Sequence, residues 1–295
     1  MAGSGKTVLV TGASGLVGAV LCPVLEGRGH RVRRLTRGTG ANEWDPVRGH
    51  LDGEVLEGID AVIHLAGENV AQRWTARVLR AIRESRVAGT ELLVGALLAQ
   101  EARPDFIMAS GINFYGYADA GAKDEGSASG DGFLASVCRE WEGAAARWSE
   151  AGGRVVQVRT GIVLSGKGGA LAKMLPPFKL GLGGPIGNGR QKMSWISIGD
   201  LVSVYVRALE DSALVGPINA VAPEPVSGAD FARELGKALR RPAVLPTPAV
   251  ALRLAFGEMA KEVILSDLDI RPRALEGHGF EWAQPEIGAA FRAVL

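Results

Sequence analysis

Val8-Leu9-Val10-Thr11-Gly12-Ala13-Ser14-Gly15-Leu16-Val17-Gly18 runs an apolar, β-branched segment into three glycines at three-residue spacing, and Ala19 to Leu25 continues as an apolar helix. The apolar run reads as a fully buried parallel strand. In a strand–turn–helix unit each glycine has a physical duty. Gly12 permits the tight turn, Gly15 lets backbone approach a pyrophosphate, and Gly18 lets helix and strand pack closely. The helix N-terminus adds free N–H groups and the positive end of its dipole. A glycine triplet alone is a weak signal. Between this strand and this helix it predicts a dinucleotide site built from Gly12, Ser14, Gly15, Leu16, Val17 and Gly18.

The next strand, Arg31-Val32-Arg33-Arg34-Leu35-Thr36, indicates which dinucleotide. Sites that prefer NAD carry Asp or Glu about 20 residues past the glycines, to hold the ribose 2′-hydroxyl. No acid occurs from Arg28 to Asn42, and Arg34, Thr36 and Arg37 stand there instead. Guanidinium groups hold a 2′-phosphate through charge-assisted, often bidentate contacts. The expected cofactor is therefore NADP (NADPH), with Arg34, Thr36 and Arg37 at its 2′-phosphate. The plainer alternative is that these arginines solvate a sheet edge.

The 295 residues suit one large α/β domain, or a dinucleotide domain with a smaller substrate domain. A formal charge of +1 gives no support for nucleic acid or an anionic membrane surface as a partner. No apolar run reaches the ~18 residues of a spanning helix, and no signal peptide is expected. Cys22 and Cys138 are too few for a disulfide framework, so a reduced, cytoplasmic protein is the expectation. His30, His50, His64 and His278 lack ligand spacing, and no metal site is expected. Gly3-Ser4-Gly5-Lys6-Thr7 imitates the end of a P-loop, but it lacks the first glycine and precedes its strand. It reads as a flexible leader.

Beyond the second strand, Trp44-Asp45-Pro46 lies in a turn-rich connection, and Ala61-Val62-Ile63-His64-Leu65-Ala66-Gly67 is a strand ending in small residues. Leu65, Ala66 and Gly67 would let backbone approach the adenosine side of the cofactor. His64, inside a buried strand, reads as a hydrogen-bonded core residue more than as a base. A helix from about Thr75 to Gln100 buries Val78, Ile82, Leu93 and Leu97. A strand over Phe106 to Ser110 follows, then a polar loop over 118–132, a helix over 133–150 and a strand from Val155 to Arg159. Strand and helix alternate, so the fold class is α/β, a Rossmann-type doubly wound parallel sheet. After Gly161 the texture changes. Residues 181–191 form a glycine-rich connection of a length usually reserved for function. Asp200 stands near the start of a helix to about Leu209, and a further small unit begins near Pro223. The expected division is an NADP-binding domain over 1–164, rejoined by 193–222, and a smaller substrate lobe from 165–192 and 223–295.

Through Thr11-Gly12-x-x-Gly15-x-x-Gly18 the chain resembles the extended short-chain dehydrogenase/reductase superfamily. More narrowly it is similar to NAD(P)-binding epimerase-family proteins of the SDR39U/YfcH type. The segments that carry this are Trp44-Asp45-Pro46, Leu65 to Val70, Arg73-Trp74, Glu84-Ser85-Arg86-Val87-x-Gly89-Thr90, Arg159 to Leu164, and Gly181 to Trp195. The likeness spans nearly the whole chain, including a C-terminal lobe ending in Phe280-Glu281-Trp282. Dehydrogenases of the superfamily place Tyr and Lys four residues apart on the helix over 133–150, with Glu four beyond the Lys. Registered on Glu142, the Lys position holds Cys138 and the Tyr position holds Leu134. The pair is missing.

The resemblance implies roles for other residues. Ser110, ending its strand, would hydrogen-bond a substrate carbonyl beside the cofactor, with Tyr115 as a nearby phenol and Arg86 orienting an anionic substrate or the ribose. These three are the expected catalytic residues. Thr160 and Gly161 complete the expected cofactor contacts, and Glu68, Asn113, Asn188, Arg190, Gln191 and Trp195 are the expected substrate contacts. Ser197 and Gly199 stand where the subfamily is expected to carry His and Asp, so the substrate does not follow from the likeness. The expected function is an NADP-dependent oxidoreductase or epimerase-like protein acting on a small polar or nucleotide-sugar-like substrate. A non-catalytic NADP-binding sensor or scaffold is the alternative that the missing pair leaves open. A homodimer through the two long helices is the assembly the superfamily suggests.

Overall fold

Val8, Leu9 and Val10 are fully buried and make β1 (Thr7–Thr11) an interior strand. The computed structural model of the chain describes residues 5–38 and 42–295. After β1 come α1 (Gly18–Gly27), β2 (Arg31–Arg37), a hairpin of β3 (Glu43–Asp45) and β4 (His50–Leu51), β5 (Ala61–His64), α2 (Ala76–Leu98) and β6 (Asp105–Gly111). The chain continues through β7 (Ala118–Lys123), α3 (Phe133–Ala144), α4 (Ala146–Glu150), β8 (Val155–Thr160), β9 (Ile162–Leu164) and α5 (Gly169–Lys179). Then follow β10 (Lys192–Met193), β11 (Trp195–Ser197), α6 (Ile198–Glu210), β12 (Gly216–Ala220), β13 (Val226–Ser227) and α7 (Gly228–Leu239). The last elements are α8 (Ala249–Phe256), β14 (Asp267–Ile270), α9 (Arg273–Gly277) and α10 (Ile287–Val294).

The main sheet runs β12-β8-β6-β5-β1-β2-β3-β4, parallel throughout except for β3 with β4. The strand order reverses at β1, which pairs with β2 on one side and β5 on the other. In doubly wound sheets that reversal opens a crevice outside the carboxyl ends of the strands. Successive side chains of a strand face opposite sides. Val8, Val10 and Ile63 accordingly pack with α1 and α6, while Leu9 and Val62 pack with α2 and Trp148 of α4.

A third core, with Phe231 of α7 set edge-on to Phe291 of α10, holds the smaller lobe. The lobe is stitched to the sheet by side pairs, β11 with β9 and β14 with β7. Ser197 caps α6, and Asp200 in that cap also accepts the N–H groups of Ala283 and Gln284. That contact ties the C-terminal segment down onto α6.

Three stretches differ from the sequence reading. The loop expected over 118–132 contains β7, which pairs in parallel with β14. Its sequence ADAGAK has no β-branched residue to announce a strand, and the pairing is supplied by the lobe. The helix expected over 133–150 divides at Ala145 into α3 and α4. Of the leader, Gly3 and Ser4 lie outside the described residues, but Lys6 is anchored, its Nζ donating to Leu209 O at 2.7 Å.

Candidate functional site

Gly12 turns the chain at φ +67°, a conformation that costs glycine little. A Cβ there would lie 2.9 Å from Ala66 N, in the backbone just past β5. Gly18 is required by contact instead, since its Cβ would meet Gly12 O at 2.4 Å. At Gly15 a Cβ would meet only Gly12 O, at 3.2 Å, and Ser14 and Gly15 are exposed at the carboxyl end of β1. No side chain caps α1. The N–H groups of Leu16 and Val17, just ahead of the helix that starts at Gly18, therefore lie with its dipole at that opening. The cradle has the shape and the polarity to take a pyrophosphate.

At the end of β2 the arginines divide. Arg34, an expected phosphate ligand, is engaged by α1 through Glu26 at 2.7 Å. Arg33 holds the carbonyls of Val55 and Glu57. Thr36 and Arg37 are exposed, and Arg37 makes no ion pair among the described residues. Arg37 is the guanidinium left to reach a 2′-phosphate.

The loop after β5 is fixed from beneath. Thr11 Oγ1 accepts the N–H groups of Leu65 and Ala66, each at 3.2 Å, and lies 2.7 Å from His64 Nδ1. The hydroxyl proton therefore goes to Nδ1, and the ring carries its own proton on Nε2, which has no hydrogen-bond partner. The ring is wholly buried among Trp44, Phe106 and Trp141. Burial, with the Arg86 charge second, pulls its pKa down to about 3. His64 is a neutral core residue.

Arg86 reaches the same loop from α2. Its Nη1 donates to Glu68 O at 2.9 Å and Ile82 O at 3.1 Å, and its guanidinium lies 5.0 Å from the Trp141 ring. A Cβ on Gly67 would stand 3.1 Å from Arg86 Cζ, so the absent side chain leaves the loop resting on the guanidinium. No carboxylate pairs with Arg86 among the described residues, and desolvation pulls its pKa below the usual arginine value.

Ser110 and Tyr115, expected at the reacting end, are tied instead into a buried chain. Ser110 Oγ donates to Glu142 Oε1 at 2.6 Å. Arg159 donates to both Glu142 oxygens, at 2.9 and 2.8 Å, and through Nη1 to the Tyr115 hydroxyl at 2.8 Å. The phenol donates onward to Asn219 Oδ1 at 2.9 Å, and Asn219 Nδ2 donates to Arg271 O. Both hydroxyl protons are thus committed inside the protein, and burial pushes the Tyr115 pKa up. The reason is the alternation of β6. Ser110 faces Glu142 and Arg159, whereas a Cβ on the next residue, Gly111, would stand 3.8 Å from Cys138 Sγ. Cys138 itself is a neutral thiol, its pKa pushed up to about 11 by burial.

The expected substrate residues are scattered by the fold. Asn113 Nδ2 donates to Glu262 O, and the Glu262 carboxylate caps α3 by accepting the N–H groups of Phe133 and Leu134 at 2.8 and 2.9 Å. Glu68 accepts from Gln72 at 3.1 Å. Asn188 caps its own turn through Arg190 N, Arg190 is exposed, and Gln191 Nε2 holds Ile186 O. Trp195 lies in the third core at 1% exposure with Nε1 unpartnered, so its ring is packing rather than a cleft wall. Thr160 Oγ1 bonds Val158 O, and Gly161 is bare because a Cβ would meet Ser194 O at 2.7 Å. The structure therefore groups the glycine turn, Leu65 to Gly67 and Arg86 at one opening, and withdraws Tyr115 and Trp195 into cores.

Sequence reasoning misses the Glu142–Arg159 pair, Asn219 and Glu262. The sequence offers Glu142 and Arg159 separately, and nothing in a helix residue and a strand residue joins them. Glu262 caps a helix that begins at Phe133, far up the chain, and leaves no local signal. Among the described residues no group of His, Cys, Asp or Glu could hold a metal ion, and no helix is long and apolar enough to cross a membrane.

With this geometry in place, comparison with known proteins is informative. Residues 8–220 match the NAD dependent epimerase/dehydratase family, and residues 247–294 match a domain of unknown function, DUF1731. An epimerase family protein of Mycobacterium tuberculosis, MT2273, is 41% identical over 288 residues, covering 96% of this chain and 95% of its own. The human epimerase family protein SDR39U1 is 37% identical over 98% of this chain and 99% of its own. A crystal structure of human SDR39U1 with NADPH superposes with a TM-score of 0.90 at 35% identity, covering 98% of both chains. A nucleoside-diphosphate sugar epimerase of Corynebacterium glutamicum gives a TM-score of 0.80 at 39% identity, over 99% of this chain and 59% of that one.

Proposed function

The chain belongs to the NAD dependent epimerase/dehydratase family, and on that footing we propose that it binds NADP(H) and acts as an oxidoreductase or epimerase-like protein on a small polar or nucleotide-sugar-like substrate. One observation carries the cofactor reading, namely a bare Gly15 before the uncapped α1 with Arg37, unpaired among the described residues, at the end of β2. In this reading the turn from Gly12 to Gly18 holds the pyrophosphate, Leu65 to Gly67 line the adenosine side, and Thr36 and Arg37 hold the 2′-phosphate. The NADPH-bound human relative supports that cofactor, and the name of the Corynebacterium protein supports a nucleotide-sugar substrate.

When bound, the cofactor supplies or accepts a hydride. The chain's part is charge and position. Arg86, held by two backbone carbonyls and an indole face, stabilises an oxygen that gains negative charge in the crevice. Ser110 offers only lone pairs there, because its hydroxyl hydrogen is donated to Glu142. Tyr115 positions Arg159 rather than trading a proton.

The same commitments support a second reading, a non-catalytic NADP-binding sensor or scaffold. Turnover separates the two. Purified protein with NADPH or NADP is offered carbonyl, alcohol and nucleotide-sugar panels, and nicotinamide absorbance is followed. The enzyme reading expects turnover on at least one class, reduced about 100-fold at saturating NADPH in Arg86→Gln, the scale of one oxyanion contact. Tight NADPH binding with no turnover on any panel rejects the enzyme reading in favour of the sensor.

A further inference from the structure

We propose that the cleft between the start of α2 and the apolar helix α8 binds the far end of the substrate, and that this end is an aryl or short acyl group bearing an anion. The inference rests on reading the crevice as a substrate site. The cleft is a cavity of about 240 Å³ with Arg73, Trp74 and Leu79 on one wall and Leu254, Phe256 and Glu258 on the other. Helix α8 has the sequence AVALRLAF yet buries no residue, and Leu254 is 82% exposed. A helix so apolar normally covers a core, and exposed apolar surface beside a concavity marks a binding site.

The opposite wall is rigid. Trp74 Nε1 donates to Val70 O at 2.9 Å, and its ring stands edge-on to Phe133, 5.3 Å between centroids. An indole fixed in this way offers apolar area at little entropic cost. Val70 and Trp74 belong to the segment that leaves the cofactor loop at Gly67, and Phe133 opens α3, which carries Cys138. Val70, Trp74 and Phe133 share a packed cluster with Leu134 and Val137 of α3, which sets the cleft beside the helix that carries Cys138.

Charge and size define the occupant. Glu258 has Lys261 at 3.7 Å, whereas Arg73 is exposed with no ion pair among the described residues, so the unbalanced charge at the mouth is positive. The volume, about 240 Å³, falls below the ~300 Å³ at which drug-sized pockets begin, which suits a fragment-sized end group.

The test uses two fluorescent probes with the same aryl body, 1-anilinonaphthalene-8-sulfonate, which carries an anion, and N-phenyl-1-naphthylamine, which does not. Both are titrated into the full chain, with NADPH titrated in parallel. The proposal expects one saturable site per chain for each probe. Leu254→Asp, a change at an exposed position, should weaken both probes at least about tenfold. Arg73→Gln should weaken only the sulfonate, by about tenfold. NADPH affinity should be unchanged in both variants, which also shows that they fold. Absence of a saturable site, or equal binding to wild type and Leu254→Asp, overturns the proposal. So does conversion of a dimer to a monomer by Leu254→Asp, because α8 would then be covered by a second copy. Lost NADPH binding in the wild type would reject the cofactor reading instead.

Discussion

At the inner end of the crevice Arg86 carries a charge that no carboxylate pairs among the described residues, while its neighbours are neutral or paired. Glu142 is neutralised by Arg159, and Cys138 is held as a thiol. His64 is held neutral by burial, and this has a measurable consequence. Its folded pKa of about 3 lies below the ordinary value of 6.5. The unfolded chain takes up a proton below pH 6.5 that the folded chain refuses, so stability is complete above that pH and falls as the pH drops toward 3. Between pH 6.5 and 5 the loss attributable to His64 is about 2 kcal/mol. Denaturant unfolding across that window should show this extra slope in the wild type and not in His64→Gln. An equal slope in both would remove the account of the ring. The residue type and the strand context are enough to read His64 as core. The direction of Ser110 is not legible, because it depends on which face of β6 meets Arg159 and Glu142, and no local pattern encodes that pairing.

At the scale of elements, the strand–turn–helix unit from β1 to α1 is the part most fully written in the chain, because each glycine answers a contact within a few residues or a neighbouring strand. The three glycines should nevertheless fail differently. Gly18→Ala drives a methyl into Gly12 O and should lower the thermal midpoint markedly. Gly15→Ala meets only one carbonyl at 3.2 Å, so it should change stability by about 1 kcal/mol or less while weakening NADPH at least about tenfold. Thermal melts with and without NADPH check both. Similar melts and similar affinities for the two variants would contradict the division of duties. Elements made by distant partners are the ones that local reading cannot supply. β7 exists because β14 pairs with it, and the N-terminus of α3 is capped by Glu262 from the lobe.

Across the whole molecule, the lobe and the sheet meet around the crevice through β7 with β14, Asp200 with Ala283, and Glu262 with α3. The alternating order of strands and helices is sufficient to place the opening at β1, because a doubly wound sheet has its crevice where the order reverses. In the proposed reading, what fills the opening is selected by charge at its two ends, Arg37 at the outer end of β2 and Arg86 beneath the β5 loop. The central claim is that the glycine cradle and Arg37 together select NADP(H). Calorimetric titration of the protein with NADPH and with NADH, repeated on Arg37→Ala, tests it most directly. The account predicts that wild type prefers NADPH, and that the variant loses about 10- to 100-fold in NADPH affinity while binding NADH unchanged. Equal affinity for the two cofactors in the wild type, or an Arg37→Ala variant with full NADPH affinity, would contradict it.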